Sequence, residues 1–354
     1  MNNLFLTPGD LAADEWRASR AADEESAERE MRQFVWAVPV APAALSTTSL
    51  EVHELAARAA GPAKGLAPAA AAKVTVGIDL GKYLCHWAAV AWSPGATGHV
   101  LDYGRHEVAT DDLGLEQALM VALRELKAEL LAGWAVAGPD GGKADPGGKR
   151  LVPELCLIDA GYMAPVVYAF CREAGDQRFK PAVGRGAGQH RPGVLDRAAQ
   201  TGSVVRAVGE GYHASWLPAE RVFLVEADAD HWKSWAHQRL ATPVGSPGAL
   251  TFYRPAAAQE HLSLCKHLTA ESRVEEFVAG KGVVTRWERI RKQNHWLDAV
   301  YNACVAGHGC GVRLVEEQRP APPPRPAAAP PSDYLQGRPK WLDSYRPGEW
   351  ARRW

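Results

Sequence analysis

No run of about 18 apolar residues occurs in the chain, so nothing in it reads as a membrane-spanning helix. The start, Met1-Asn-Asn-Leu-Phe-Leu-Thr-Pro8, lacks the basic segment and the long apolar segment of an export signal. Six cysteines (Cys85, Cys156, Cys171, Cys265, Cys304 and Cys310) are scattered with no Cys-x-x-Cys pair, which excludes zinc-finger spacing and suits reduced, mostly buried thiols. Gly-x-x-x-x-Gly-Lys-Ser/Thr is missing as well. The Gly-Gly-Lys pieces at Gly141 and Gly147 lack both the leading glycine and the hydroxyl residue, so a P-loop ATPase is excluded. Basic excess is also lacking: at a net charge of -1, contact with a polyanion must come from local patches or from metal ions. These absences describe a soluble, cytoplasmic protein with no membrane partner. Its 354 residues suffice for one domain of about 240 residues with tails.

What is present centres on Lys73-Val-Thr-Val-Gly-Ile-Asp-Leu-Gly81. Val74, Thr75, Val76 and Ile78 are β-branched and no charge appears until Asp79, so the run predicts a buried strand ending in a carboxylate. Gly81 permits a tight turn, and Trp87 to Trp92 is the apolar return strand. A carboxylate without a counter-charge or a metal is costly to bury, which makes Asp79 the first site candidate. A second strand, Leu155-Cys-Leu-Ile-Asp159, also ends in a carboxylate where it hands over to a helix, Ala164 to Ala174. In open α/β sheets ligand sites gather at such strand ends.

Around these strands the chain divides into 1–72, a helical segment and linker; 73–315, the folded domain; and 316–354, a Pro-rich linker with an aromatic and basic tail. Leu11 to Phe34 is charge-dense with sparse apolar points and predicts one solvated helix; Ser49 to Ala60 predicts another, and Gly61 to Ala72 is a Pro/Gly/Ala linker. Leu113 to Leu131 has helical apolar spacing. Lys180 to Arg197, with Arg185 and Arg191 among glycines and prolines, is a basic loop suited to phosphate contact, to which Lys233 adds. Arg221 to Glu226 is a strand leading to Asp228 and Asp230 and a helix from His231 to Leu240; Glu226 reads as structural. Thr269-Ala-Glu-Ser272 predicts an N-cap and a helix running to Val278. Leu297, Val300, Tyr301 and Cys304 form a helical stripe with Asp298 on its border. His231, His237, His261 and His267 match no zinc motif, and the tryptophans read as packing residues.

Asp79, Asp159 and Asp298 could converge at one end of a sheet, and oxygen ligands of this kind suit Mg²⁺ or Mn²⁺. Two such ions can activate a water and stabilise a leaving oxygen in phosphodiester hydrolysis. At these residues the sequence resembles the nuclease domain of the lambda gpA type of phage terminase large subunit. The pieces are Ile78-Asp79, Ile158-Asp-Ala-Gly-Tyr162 with Val167-Tyr-Ala-Phe-Cys171, Trp232-Lys233, Leu268-Thr-Ala-Glu271 and His295-Trp-Leu-Asp-Ala-Val-Tyr-Asn-Ala303. Order and spacing hold from about Lys73 to about Ala306.

The resemblance implies an α/β fold, a ribonuclease H-like mixed sheet flanked by helices, and a metal-dependent endonuclease that cuts concatemeric viral DNA. It implies metal-ligand roles for Asp79, Asp159 and Asp298, with Asp228 and Asp230 as further candidates, and two Mg²⁺ or Mn²⁺ ions. Double-stranded DNA, a separate ATPase subunit, a small terminase subunit and a portal protein are the implied partners; Trp341, Tyr345, Trp350 and Trp354 in the tail have the composition of a docking peptide. Asp10 to Pro39 looks like the family's joint between motor and nuclease, so the motor is expected on another polypeptide. His295-Trp296 stands where the family usually has Asn-Glu, which removes a supporting carboxylate. The rival readings are a packaging adaptor that kept the fold without catalysis and, from Val76-Gly-Ile-Asp-Leu-Gly81 alone, an actin or sugar-kinase ATPase or a transposase.

Overall fold

Val74 through Leu80 are all buried, as in a strand covered on both faces. The computed structural model that places them describes residues 7–20, 27, 30–36, 50–186, 205–257, 259–278 and 282–314. The chain divides into two compact units, Met1–Val315 and Glu316–Trp354. The second, with the Pro-rich stretch and tail, lies outside the described residues, as does most of the basic loop, 187–204.

In chain order the elements are α1 (Pro8–Ala18), a π-helical turn (Met31–Val35), α2 (Val52–Ala56), β1 (Ala59–Ala63), β2 (Leu66–Ala67), β3 (Lys73–Leu80), β4 (Leu84–Ser93) and β5 (Thr97–Glu107). Next come α3 (Thr110–Leu113), α4 (Leu115–Leu131), β6 (Trp134–Val136), β7 (Arg150–Leu151), β8 (Pro153–Asp159), α5 (Ala164–Ala174) and β9 (Phe179–Arg185). The rest are β10 (Val205–Gly209), β11 (Tyr212–Leu217), β12 (Val222–Asp228), α6 (Ala229–Ala241), β13 (Leu250–Arg254), α7 (Leu262–Leu268), β14 (Glu271–Val278), β15 (Gly282–Arg289) and α8 (His295–Gly309).

Ten strands form one mixed sheet in the order β1-β13-β5-β4-β3-β8-β9-β12-β11-β10. β3, β4 and β5 are an antiparallel meander, while β8, β9 and β12 run parallel to β3. This is the α/β, ribonuclease H-like mixed sheet flanked by helices. α4 and α5 seal one face through Leu119, Leu123, Leu126, Leu130, Val167 and Phe170. Each such side chain contributes about 1.5–3 kcal/mol by leaving water. α6, α7 and α8 cover the other face through Trp232, Leu264, Leu297 and Val300. Among the described residues no helix is long and apolar enough to cross a membrane.

Three stretches differ from expectation. Residues 59–67, the end of the expected helix and the first part of the expected linker, supply β1, which pairs with β13, and β2, which pairs with β6. Edge pairing asks only for backbone donors and acceptors, so small residues suffice there. The helix expected after Thr269 is instead the β14–β15 hairpin. The Thr269 hydroxyl donates to Cys265 O at 2.9 Å and so closes α7 rather than opening a new helix. Val274, Phe277 and Val278 then pair across the hairpin with Arg286, Val283 and Gly282. In the stretch 11–34, the described helix ends at Ala18, with Thr7 and Asp10 forming a capping box at its start and no residue of it buried.

Candidate active site

Three residues on one face of β3 set the site. Thr75, Gly77 and Asp79 are two apart, and two residues of strand advance about 6.7 Å. Four residues of helix advance about 6.0 Å, close enough for a helix and a strand to stay in step over this length. α8 lies on β3 in the opposite sense with those steps matched. Thr75 Oγ1 donates to Ala303 O at 2.7 Å, and His295 Nδ1 lies 2.7 Å from Asp79 Oδ2. Between them a Cβ on Gly77 would overlap the Ala299 carbonyl oxygen, so only glycine lets the helix come this close. Asp79 is thereby aimed at the first turn of α8, where Asp298 sits.

Asp159 reaches the same place by sheet register. Ile78 pairs with Ile158 in parallel strands, so Asp79 and Asp159 leave neighbouring strand ends at one level. Neighbouring strands are about 4.8 Å apart, where two like charges repel by roughly 3.5 kcal/mol at an effective dielectric of about 20. One hydrogen bond returns only about 1 kcal/mol, so the pair holds a proton or needs a cation. Burial, followed by the Asp79 charge, pushes Asp159 up to about 6, with the Gly161 N–H opposing from 2.8 Å.

Asp298 belongs to a closed ring of polar side chains. Asn294 Nδ2 donates to Asp298 Oδ2 at 2.7 Å and to Glu271 Oε1 at 2.6 Å. Lys233 Nζ donates to Glu271 Oε2 at 2.7 Å and lies 3.5 Å from Asp298 Oδ1. Burial pushes Asp298 up to about 7; Lys233 opposes, and Asp79, Glu271 and Asp159 add to the rise. Burial works against the Lys233 ammonium, yet Asp298 and Glu271 hold its pKa above the ordinary value. Tyr301, fully enclosed beneath the ring, is raised by burial and then by Asp298, Asp159, Asp79 and Glu271 in turn, so all four carboxylates act at one point.

On the other side of Asp79 the lining is imidazole. His86 lies directly opposite Asp79 in the β3–β4 pairing, and its ring stacks on His295 with centroids 4.6 Å apart and planes at 15°. His267 and Trp296 close the rear, 5.7 and 5.2 Å from the His86 ring. Burial, followed by His295, His267 and Arg105, pulls His86 down to about 3, and burial pulls His267 to about 4. His295 moves the other way, raised chiefly by its hydrogen bond to Asp79. Asp79, His86 and His295 each place one ligand atom within 4.8 Å of the others. The whole donor set fits divalent cations, because four carboxylates share a largely buried space with Lys233 as the enclosed counter-charge.

Most of the remaining sequence candidates have partners of their own. Asp228 ends β12 and caps α6, accepting from His231 N at 3.0 Å, and Asp230 follows in that helix's first turn. Arg185 is held by Glu226 through Nε at 3.1 Å and Nη2 at 2.9 Å, so this expected phosphate contact is already engaged. Together with His213, Arg185 draws Glu226 down to about 2, His213 contributing most. Lys180 lines a separate cavity with Arg172, Trp216 and Arg221. Lys233 is an internal ion-pair partner rather than a surface contact, only 12% exposed. Arg191 lies outside the described residues.

Sequence reasoning missed Asn294, His86 and the role of Glu271. One signal was readable: a hairpin turning at Gly81–Tyr83 puts Asp79 opposite His86. The supporting carboxylate expected at His295-Trp296 is absent there, and Glu271 stands beside Asp298 instead, bridged by Asn294. The family model described as terminase large subunit gpA, endonuclease domain, matches residues 4–319. No curated protein and no solved structure matches the chain.

Proposed function

The chain belongs to the endonuclease-domain family of the terminase large subunit gpA, and from that premise we propose that it is a phage DNA-packaging endonuclease that cuts concatemeric duplex DNA by metal-dependent phosphodiester hydrolysis. The observation that supports the reading is that Asp79 and Asp159 end neighbouring strands against the first turn of α8, where Asp298 and Glu271 are held together by Asn294 and Lys233. Asp79, Asp159 and Asp298 would hold two Mg²⁺ or Mn²⁺ ions. When bound, such ions activate a water and stabilise the leaving oxygen.

The chain's own residues prepare that space. Lys233 keeps Glu271 and Asp298 in place against the cost of burying them, and the Asn294 amide fixes their spacing with two bonds. His295 donates from Nδ1 to Asp79 Oδ2 and so orients that carboxylate. Burial raises Asp159 to about 6 and Asp298 to about 7, so acid favours their neutral forms and the space gains negative charge as pH rises through neutrality. Duplex DNA is the substrate, read through its backbone rather than its bases. The ATPase subunit, small terminase subunit and portal protein are the partners, with the tail beyond Val315 as the docking segment. The test is cleavage of plasmid DNA by the purified chain with Mn²⁺ or Mg²⁺, abolished by a chelator and by Asp79→Asn or Asp159→Asn. Cleavage that survives both substitutions sinks the assignment.

A further inference from the structure

We propose that Asp79, His86 and His295 form a nitrogen-rich cation position of their own, which takes a later first-row transition ion of the Co²⁺ or Zn²⁺ class in preference to Mg²⁺. The inference rests on the nuclease reading only in sharing Asp79 with it; both imidazoles lie outside the three aspartates.

The first support is geometric. One ligand atom from each residue lies within 4.8 Å of the others, and with bonds of about 2.0–2.2 Å one ion reaches all three once the half-exposed His295 ring turns out of its stack on His86. The backbones that carry them are fixed. Asp79 and His86 are register partners in a central hairpin, so their side chains leave the same face of the sheet. His295 is the first residue of α8, which Gly77 and the Thr75 bond to Ala303 lock onto β3.

A second, independent observation points to a ligand. His86 is only 6% exposed, and its Nδ1 is buried with no hydrogen-bond partner. A buried polar atom left unpaired costs about 1–3 kcal/mol, which a leucine or phenylalanine at this place would avoid. Packing therefore does not account for a histidine here, whereas a lone pair offered to a cation does. His267 and Trp296 behind the His86 ring form an aromatic wall that holds this donor in place.

Ligand chemistry then sets the selectivity. Mg²⁺ favours oxygen donors and gives up its water reluctantly, whereas imidazole suits the later first-row ions. The carboxylate side, with Asp159, Asp298 and Glu271, is hard and indifferent between Mg²⁺ and Mn²⁺. One site thus offers two neighbouring positions of unequal softness.

The experiment is a Co²⁺ titration of the purified full-length chain without DNA, followed by visible absorption, with Mg²⁺, Mn²⁺ and Zn²⁺ as competitors. The wild type should bind one Co²⁺ with a nitrogen-ligated spectrum that Zn²⁺ displaces and equal concentrations of Mg²⁺ or Mn²⁺ do not. His295→Ala, at a half-exposed helix start, should weaken Co²⁺ binding by about 10- to 100-fold, the range seen when a group that holds a metal in place is lost. His86→Gln should do the same, with circular dichroism checking that it folds. Asp159→Asn should keep the nitrogen-ligated spectrum. Unchanged Co²⁺ affinity in both histidine variants, or equal competition by Mg²⁺, overturns the proposal. Cleavage that persists in Asp159→Asn while the Co²⁺ spectrum holds would defeat the metal-ligand role of Asp159 in the nuclease reading and leave this one standing.

Discussion

The two sides of Asp79 solve opposite electrostatic problems. Toward Asp298 there is more negative charge than Lys233 can balance, and burial is met by holding protons: Asp159 stays protonated up to about 6 and Asp298 up to about 7. Toward His86 there are cationic-capable rings under an aromatic cover, and burial is met by shedding protons, with His86 at about 3 and His267 at about 4. The same desolvation acts on both and moves them in opposite directions, because it penalises whichever form is charged. A single strand end, Asp79, joins an oxygen-rich compartment to a nitrogen-rich one.

The most severe way to break this comparison is to remove the frame common to both. Gly77→Val puts side-chain atoms where the Ala299 carbonyl lies and should lift α8 from β3. We expect a stability loss of about 1–3 kcal/mol or more in chemical denaturation, the range for overpacked cores, together with loss of DNA cleavage and of Co²⁺ binding. Retention of either function would mean that the two sides do not share the α8–β3 seam.

Less severe is a change confined to one side. Asn294→Ala removes the bridge between Glu271 and Asp298 and leaves the histidines alone. Cleavage should fall about 10- to 100-fold with Co²⁺ binding at the imidazoles intact. An equal fall in both would merge the two compartments into one.

The pH dependence of stability sharpens the contrast further. Asp159 and Asp298 have folded pKa values above the ordinary 3.8, so the folded state binds more protons and stability is lost as pH rises toward 7. His86 and His267 have folded values below the ordinary 6.5, so the unfolded state binds more protons and stability is lost as pH falls below 6.5. In metal-free protein the difference in melting temperature between wild type and Asp298→Asn should therefore shift against the wild type from pH 4 to 7. The difference between wild type and His86→Phe should shift in its favour from pH 3 to 6.5. Divalent cations should erase the first trend, and parallel trends in the two pairs would refute the assignment.

The smallest effect belongs to a residue outside both compartments. Because Glu226 already holds Arg185, Arg185→Gln should leave the salt dependence of DNA affinity unchanged, where loss of a phosphate contact would reduce its slope by about 1.

How much of this was legible in the sequence depended on whether neighbours in the chain were also neighbours in space. β3, β8, α4 and α5 were readable because their apolar periodicity is local, and α5 begins and ends where its pattern does. β1 and β2 were not, since their small residues carry no pattern and only their partners β13 and β6 make them strands. The segment after Thr269 misled because a hydroxyl that caps the next helix and one that closes the previous helix have the same local sequence. Asp79, Asp159 and Asp298 stood out as carboxylates on apolar elements. Glu271 and Asn294 carried no such mark, because their meaning comes from a ring that three separate elements, α6, β14 and α8 with its N-cap, complete.

The seating of α8 on β3 also has a consequence for biogenesis. Asp79 and His295 touch across 216 residues of chain, so a ribosome finishes β3 long before it makes the helix that covers it. Long-range contacts of this kind form late, and the N-terminal parts of a nascent chain wait for them with apolar surface open to chaperones. Until α8 emerges, Thr75, Gly77 and Asp79 have no lid, and neither side of the candidate site exists. The proposed nuclease site is thereby absent through most of translation and forms only once α8 has been made.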